Sequence, residues 1–276
     1  MKLGLILQTR GPASRRETLL GCAMAADASA IDSLWLTEQF GLPPDPRRDR
    51  REPEAARSLD LLTVLPFIAE ATSRIHLGTA VMVLPFRAPL LVARFAATLQ
   101  DLSRGRLELG VGVGWKEHEF QALGVEMARR GERMNETLEL LYRTFRDESV
   151  AWNGQELIAN PQPPPPPVYI GGAPEHAFDR VLRHADGWLC TGSDPENLRT
   201  SIARLRDLAA EEGDKVPLVA TVQTLPVLEP AHALEIACEY ESAGADLLIH
   251  SSGYDTADEF KEIVDVLSRQ IRPQLP

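Results

Sequence analysis

The chain has 276 residues, 44% hydrophobic and 25% charged, with a net charge of −11, as expected of a soluble globular protein. The acidic surplus argues against nucleic acid or an anionic membrane as the main partner. Cys22, Cys190 and Cys238 form neither a metal spacing nor a disulfide framework. No apolar run is long enough to span a bilayer, and Met1 leads straight into a strand with no room for a signal peptide, so a reducing cytoplasm is the expected compartment.

Lys2 to Gln8 is a continuous apolar run, the form of a strand buried on both faces. Arg15 to Ala30 reads as a helix and Ser33 to Thr37 as the next strand, with Glu38 and Gln39 at its exit. A loop from Gly41 to Arg57 follows, with four prolines and the cluster Arg47, Arg48, Arg50 and Arg51. That cluster is a solvated loop or a contact for an anionic ligand tail. Leu59 to Thr72 is helical, and His76 to Leu84 is a strand ended by Pro85. From Pro89 to Leu102, apolar residues recur at three- and four-residue steps, which predicts a helix stopped by Ser103-Arg104-Gly105. A strand from Arg106 to Val113 then leads into glycines 110, 112 and 114. Strand, helix and strand make a right-handed βαβ unit of a parallel sheet. Its small residues, Gly78 and Ala80 among them, suit the close approach of a flat ligand to the backbone.

After Trp115 the alternation pauses. Lys116 to Leu123 is a short helix, Ala128 to Asp147 a long one, and Val150 to Asn160 a hairpin turning at Asn153-Gly154. The prolines from 163 to 167 form a stiff spacer. Strands at Val168–Ile170, Asp186–Thr191, Val216–Leu225 and Asp246–His250 then alternate with helices at Glu175–His184, Asp194–Glu212, Pro230–Ala243 and Ala257–Arg272. Asp194-Pro195 supplies the cap and first residue of the second of these helices. Eight strands alternating with helices predict one α/β domain over residues 1–276, a (β/α)8 TIM barrel with insertions after strands two and four, the latter spanning about residues 116–167.

Barrel enzymes keep their chemistry at the carboxyl ends of the strands. Here those ends are Gln8-Thr9-Arg10, Glu38-Gln39-Phe40, Leu84-Pro85, Gly112 to Trp115, Gly171 to Ala173, Thr191-Gly192-Ser193, Thr224 and His250-Ser251-Ser252. The set is poor in acids and rich in glycine, hydroxyls and aromatics, which suits a planar cofactor better than a metal cage or a carboxylate pair. Gly112 and its neighbours lack the dinucleotide spacing. Gly171-Gly172-Ala173 offers free amides to a phosphate, or serves a tight turn into the next helix. His250 closes a strand, where a hydrogen-bonded structural role is the plainer reading.

The segment LGTAVMVLPFRAPLLVARFAATLQDLSRGRLELGVGVGWKEHEFQALG resembles the luciferase-like flavin and deazaflavin oxidoreductases, in particular the deazaflavin branch, as do ARRGERMNE, PPVYIGG and ADGWL. The resemblance covers most of residues 75 to 190 and implies the same barrel. It also implies that a tricyclic ring lies against a bulge on strand three with a cis peptide at Ala80–Val81. The cofactor phosphate would rest on Gly171, Gly172 and Ala173; Glu38, Val113, Gly114 and His118 would touch the ring or its side chain. Thr191 would lie closer to the substrate, and a homodimer is implied.

Where flavin luciferases and related sugar-phosphate dehydrogenases carry a histidine after the acidic residue of strand two, this chain has Gln39. Trp115 replaces those dehydrogenases' glutamate, and Asp194 stands where a phosphate-binding lysine is expected. The expected activity is transfer of a hydride between coenzyme F420, a deazaflavin, and a small organic substrate. Glu38 is expected as an acid–base group or cofactor contact, Gln39 to orient the substrate, and Trp115 as a stacking wall. An FMN-dependent monooxygenase and a flavin-binding barrel without activity are the alternatives. No metal site is expected.

Overall fold

Strands that are apolar on both faces need cover on both sides, and this chain provides it by wrapping helices around a closed parallel sheet. The computed structural model describes residues 1–40, 57–213 and 215–275. In chain order the elements are β1 (Lys2–Ile6), α1 (Arg16–Asp27), β2 (Ser33–Leu36), α2 (Leu61–Glu70), β3 (His76–Val83), α3 (Pro89–Leu102) and β4 (Leu107–Gly112). The segment after β4 holds α4 (Glu117–Leu123), α5 (Arg130–Arg146) and the hairpin β5 (Ser149–Trp152) and β6 (Gln155–Ile158). The barrel resumes with β7 (Val168–Gly171), α6 (Pro174–His184), β8 (Gly187–Thr191), α7 (Pro195–Glu212), β9 (Leu218–Gln223), α8 (Pro230–Ala243), β10 (Leu247–His250) and α9 (Ala257–Val266). The eight barrel strands close in the order β1-β10-β9-β8-β7-β4-β3-β2, and β5 pairs antiparallel with β6 outside it. The chain is therefore a (β/α)8 barrel. The arginines at 47, 48, 50 and 51 lie outside the described residues.

Local chemistry accounts for the joints. Asn153 and Gly154 both have positive φ, 48° and 75°, as a two-residue hairpin turn requires. The Asp194 carboxylate accepts the Asn197 amide at 2.9 Å and caps α7. At the end of the proline spacer, the Pro167 carbonyl accepts the Leu109 amide at 2.8 Å and delivers the chain to β4's edge. The buried Gln100 amide donates to the Pro164 carbonyl at 3.1 Å and accepts the Leu107 amide at 3.0 Å, tying spacer, α3 and β4 together.

One apolar layer lies between strands and helices. A second fills the barrel itself: Ile6, Trp35, Tyr169, Leu189, Ala220, Leu247 and Ile249, with Ala80, Val81 and Val222 packed on top. Trp35 is fully buried, stands edge-on to Tyr169 with 5.9 Å between ring centroids, and donates its indole N–H to Ser33 Oγ at 2.8 Å. This ring corrects the expectation for Gly78. A Cβ there would lie 2.3 Å from Trp35 Cδ2, so the space left by the glycine belongs to tryptophan and not to a ligand.

Candidate active site

The site-forming irregularity is in β3. Thr79 pairs with Leu109 and Met82 with Val111, so β3 advances three residues while β4 advances two. The extra residue makes a bulge, and the Ala80–Val81 peptide within it is cis. Val81 is thereby seated between two glycines: a Cβ on Gly112 would meet Val81 Cγ2 at 2.7 Å, and one on Gly171 would meet Val81 Cγ1 at 2.8 Å. Glycines from β4 and β7 thus form the notch that receives this side chain.

Side-chain alternation extends the interior face to the strand exits. It places Gln8, Thr37, Ala80 with Val81, Gly112, Gly171, Thr191, Val222 and Ser251 in a ring around the mouth. Every member is small, apolar or uncharged. Trp35 and Tyr169 floor the mouth from the layer below. A flat group can therefore descend to the bulge and no further.

Glu38 leaves β2 into a buried ion pair. Arg87 clamps its carboxylate, with Nη1 to Oε2 at 3.0 Å and Nη2 on Oε1, and the Val83 amide donates to Oε2 at 2.6 Å. Burial pushes the Glu38 carboxyl above its ordinary range, opposed by the Arg87 guanidinium and the Val83 amide. Only 4% of the Glu38 side chain is exposed, and its carboxylate is engaged at the exit of β3. Sequence reasoning passed over Arg87, because a partner 49 residues away carries no local spacing signal.

Gln39 sits on the rim, its carboxamide oxygen held by Arg10 Nη1. Glu38 and Gln39 line a cleft of about 160 Å3 with Phe40 and residues 58–61. Trp115 and His118 share an open depression with Lys116, Glu117 and Gln121. Trp115 is 79% exposed, and its ring meets the Lys116 ammonium, 5.4 Å from the centroid. Val113 is half-buried, and Gly114 at φ 76° lies under Val83 and Phe120.

At the β7 exit the buried Trp188 indole donates to the Gly172 carbonyl at 2.8 Å and fixes the turn before α6. The Gly172 and Ala173 amides stand at the turn into α6. Gly172 has φ 137° and open space where a side chain would stand, with only Ala177 Cβ within 4 Å. Those amides at the start of an 11-residue helix fit a phosphate. Thr191 lies exposed on the same side.

Groups of His, Cys, Asp and Glu that could hold a metal are absent among the described residues. Cys22 is fully buried, and burial pushes its thiol up to about 12, which leaves it unreactive. No helix among the described residues is long and apolar enough to cross a membrane.

Residues 1–266 match the family model described as luciferase-like monooxygenase. The chain belongs to that family. An F420-dependent glucose-6-phosphate dehydrogenase of Kineococcus radiotolerans is 29% identical over 197 residues, 67% of this chain and 56% of that one. Among solved structures, an F420-dependent secondary alcohol dehydrogenase in complex with an F420–acetone adduct is similar, with a TM-score of 0.77 at 16% identity over 100% of this chain and 99% of the other. The oxygenating constituent of 3,6-diketocamphane monooxygenase of Pseudomonas putida, in complex with FMN, has a TM-score of 0.79 at 14% identity over 100% of this chain and 99% of that one. At those identities the structures report the shared fold.

Proposed function

We propose that this luciferase-like protein is a coenzyme F420-dependent oxidoreductase that moves a hydride between the deazaflavin and a small organic substrate. The observation that carries it is the Gly112–Val81–Gly171 notch, which turns the bulge of β3 into a smooth floor under an uncharged mouth. Bound there, the deazaflavin would supply the hydride chemistry; the barrel would position it and exclude water. Ala80 and Val81 would back the ring, Gly171, Gly172 and Ala173 would receive the phosphate, and Val113, Gly114 and His118 would flank the chain between them. Glu38 would act through Arg87 and the Val83 amide, holding the bulge in register. Gln39 would orient the substrate from the rim, with Thr191 opposite and Trp115 closing over from its exposed position. The choice of F420 over FMN rests on the Kineococcus relative. A homodimer formed through α2 and α3 and a cytoplasmic location belong to the same reading.

The test is a spectroscopic titration of the purified chain with F420 and, separately, with FMN. Saturable perturbation of the violet deazaflavin band, with weaker binding of FMN, is the expected result. Tighter binding of FMN would move the reading to a flavin monooxygenase, and binding of neither would refute it.

A further inference from the structure

Gln8 stands at the exit of β1, on the interior side by its alternation with Ile6. Its backbone amide donates to the Tyr254 hydroxyl at 2.7 Å, and its side-chain Nε2 donates to the Ser252 carbonyl at 3.1 Å. A carbonyl can only accept, so the carboxamide has one possible orientation and Oε1 is turned the other way. Among the described residues no donor reaches Oε1. Ser252 is itself held: His250 Nδ1 accepts the Leu225 amide at 3.1 Å, so the neutral ring carries its proton on Nε2 and donates it to Ser252 Oγ at 3.0 Å. His250 is 1% exposed, and burial lowers its pKa to about 4, which keeps the ring neutral and this tautomer in place near pH 7. A relay from Leu225 through His250 and Ser252 therefore fixes an acceptor at the mouth.

The rest of the mouth decides what that acceptor can meet. Thr37, Thr191 and Ser251 contribute hydroxyls, and none of the ring residues is charged. Among the described residues the nearby cations are engaged elsewhere. Arg87 is clamped on Glu38 with Asp60 at 3.8 Å, Lys116 lies 3.9 Å from Glu119 against Trp115, and Arg10 is at the rim on Gln39. Asp194 adds a negative charge beside the β8 exit, already bound to its own helix. A phosphate or carboxylate on the substrate would find no cationic partner within the ring. A ligand without a donor would leave Oε1 unpaired once water is displaced.

We propose that the substrate is an uncharged molecule bearing a hydroxyl, and that the Gln8 carboxamide oxygen selects it by accepting that hydroxyl's hydrogen bond. The inference rests on the F420 reading and sets this chain apart from its sugar-phosphate-using relative in substrate class.

The test uses the F420-loaded full chain titrated with cyclohexanol, cyclohexanone and glucose 6-phosphate, followed by the absorbance of bound cofactor as a shift or a bleach. Cyclohexanol is expected to give a saturable response, and glucose 6-phosphate none beyond an ionic-strength control. Gln8→Met, close in shape, should raise the half-saturating cyclohexanol concentration about tenfold or more. It should change cyclohexanone less than twofold and leave F420 affinity within twofold. Equal weakening toward both probes would mean a loosened loop and would overturn the assignment, as would an unaffected cyclohexanol response, no cyclohexanol response at all, or tighter binding of glucose 6-phosphate. If the wild-type chain failed to bind F420, the cofactor reading would fall on its own. The same probes read by tryptophan fluorescence of the unloaded chain would still decide the role of Gln8.

Discussion

Gly78→Ala separates two explanations of a small residue in the barrel. The new methyl carbon would sit 2.3 Å from both Cδ2 and Cε3 of Trp35 and 2.6 Å from Cζ3. Carbon atoms rest at about 3.5–4.0 Å, so the ring must withdraw by about 1 Å or more. It has nowhere to go. Trp35 is fully buried, the indole is hydrogen-bonded to Ser33 Oγ, and Tyr169 packs edge-on. Overpacking of this kind costs about 1–3 kcal/mol, and a rigid, buried, hydrogen-bonded ring puts the cost near 3. At about 2–4 °C per kcal/mol for a chain of this size, Tm should fall by roughly 6–12 °C. Calorimetry of the cofactor-free protein measures it. The double variant with Trp35→Leu supplies the control: with the ring gone the methyl should cost almost nothing, giving a coupling of about 2 kcal/mol or more in a double-mutant cycle. An unchanged Tm in Gly78→Ala together with weakened cofactor binding would refute the reasoning, because the space would then belong to the ligand.

Gly171→Ala puts a methyl 2.8 Å from Val81 Cγ1 and should tilt that side chain into the mouth; cofactor affinity is expected to drop about tenfold, with Val81→Ala restoring it in an equilibrium titration. Glu38→Gln leaves the Arg87 guanidinium, 12% exposed, with Asp60 at 3.8 Å as its remaining carboxylate among the described residues. Breaking one side of a buried pair costs about 3 kcal/mol, so Tm should fall by several degrees, and an unchanged melting curve would contradict the clamp. His250 is lowered by burial from 6.5 to about 4, so the unfolded chain takes up its proton first on acidification. Its contribution to stability is intact above pH 6.5, is lost as pH falls toward 4, and totals about 3 kcal/mol at roughly 1.4 kcal/mol per pH unit. Denaturant midpoints measured across that range should lose this slope in His250→Asn.

The barrel was legible because its signals are local and repeat. Continuous apolar runs marked β1 and β3, and Pro89 and Pro230 opened helices that begin at those residues. Asn153-Gly154 marked a hairpin that forms with both residues at positive φ. Strand ends were less legible: Val216 and Pro217 precede β9, and β7 runs on past the expected Ile170 to Gly171. The notch was half legible. Three glycines in a row of alternating positions announced a close approach, but the sequence could not say that Thr79 O meets Gly110, Val81 meets Gly112, and Val83 with Phe120 meets Gly114. Each glycine proved to have a different neighbour.

The site's electrostatics were the least legible part, for a reason that Glu38 and Gln8 illustrate from opposite sides. A carboxylate at a strand exit looks reactive in sequence because its type is reactive. Its chemistry depends on whether a guanidinium 49 residues away reaches it, and here one does. An amide at a strand exit looks inert, since glutamine neither gains nor loses a proton near neutrality. Yet once its N–H is committed to the carbonyl of Ser252, 244 residues distant, the remaining oxygen becomes a fixed acceptor with a definite preference for a donor. The residues ringing the mouth carry no charge, so a ligand there would meet the direction of neutral hydrogen bonds. Direction is a property of the fold, set by contacts across the whole chain, so residue types alone do not announce it.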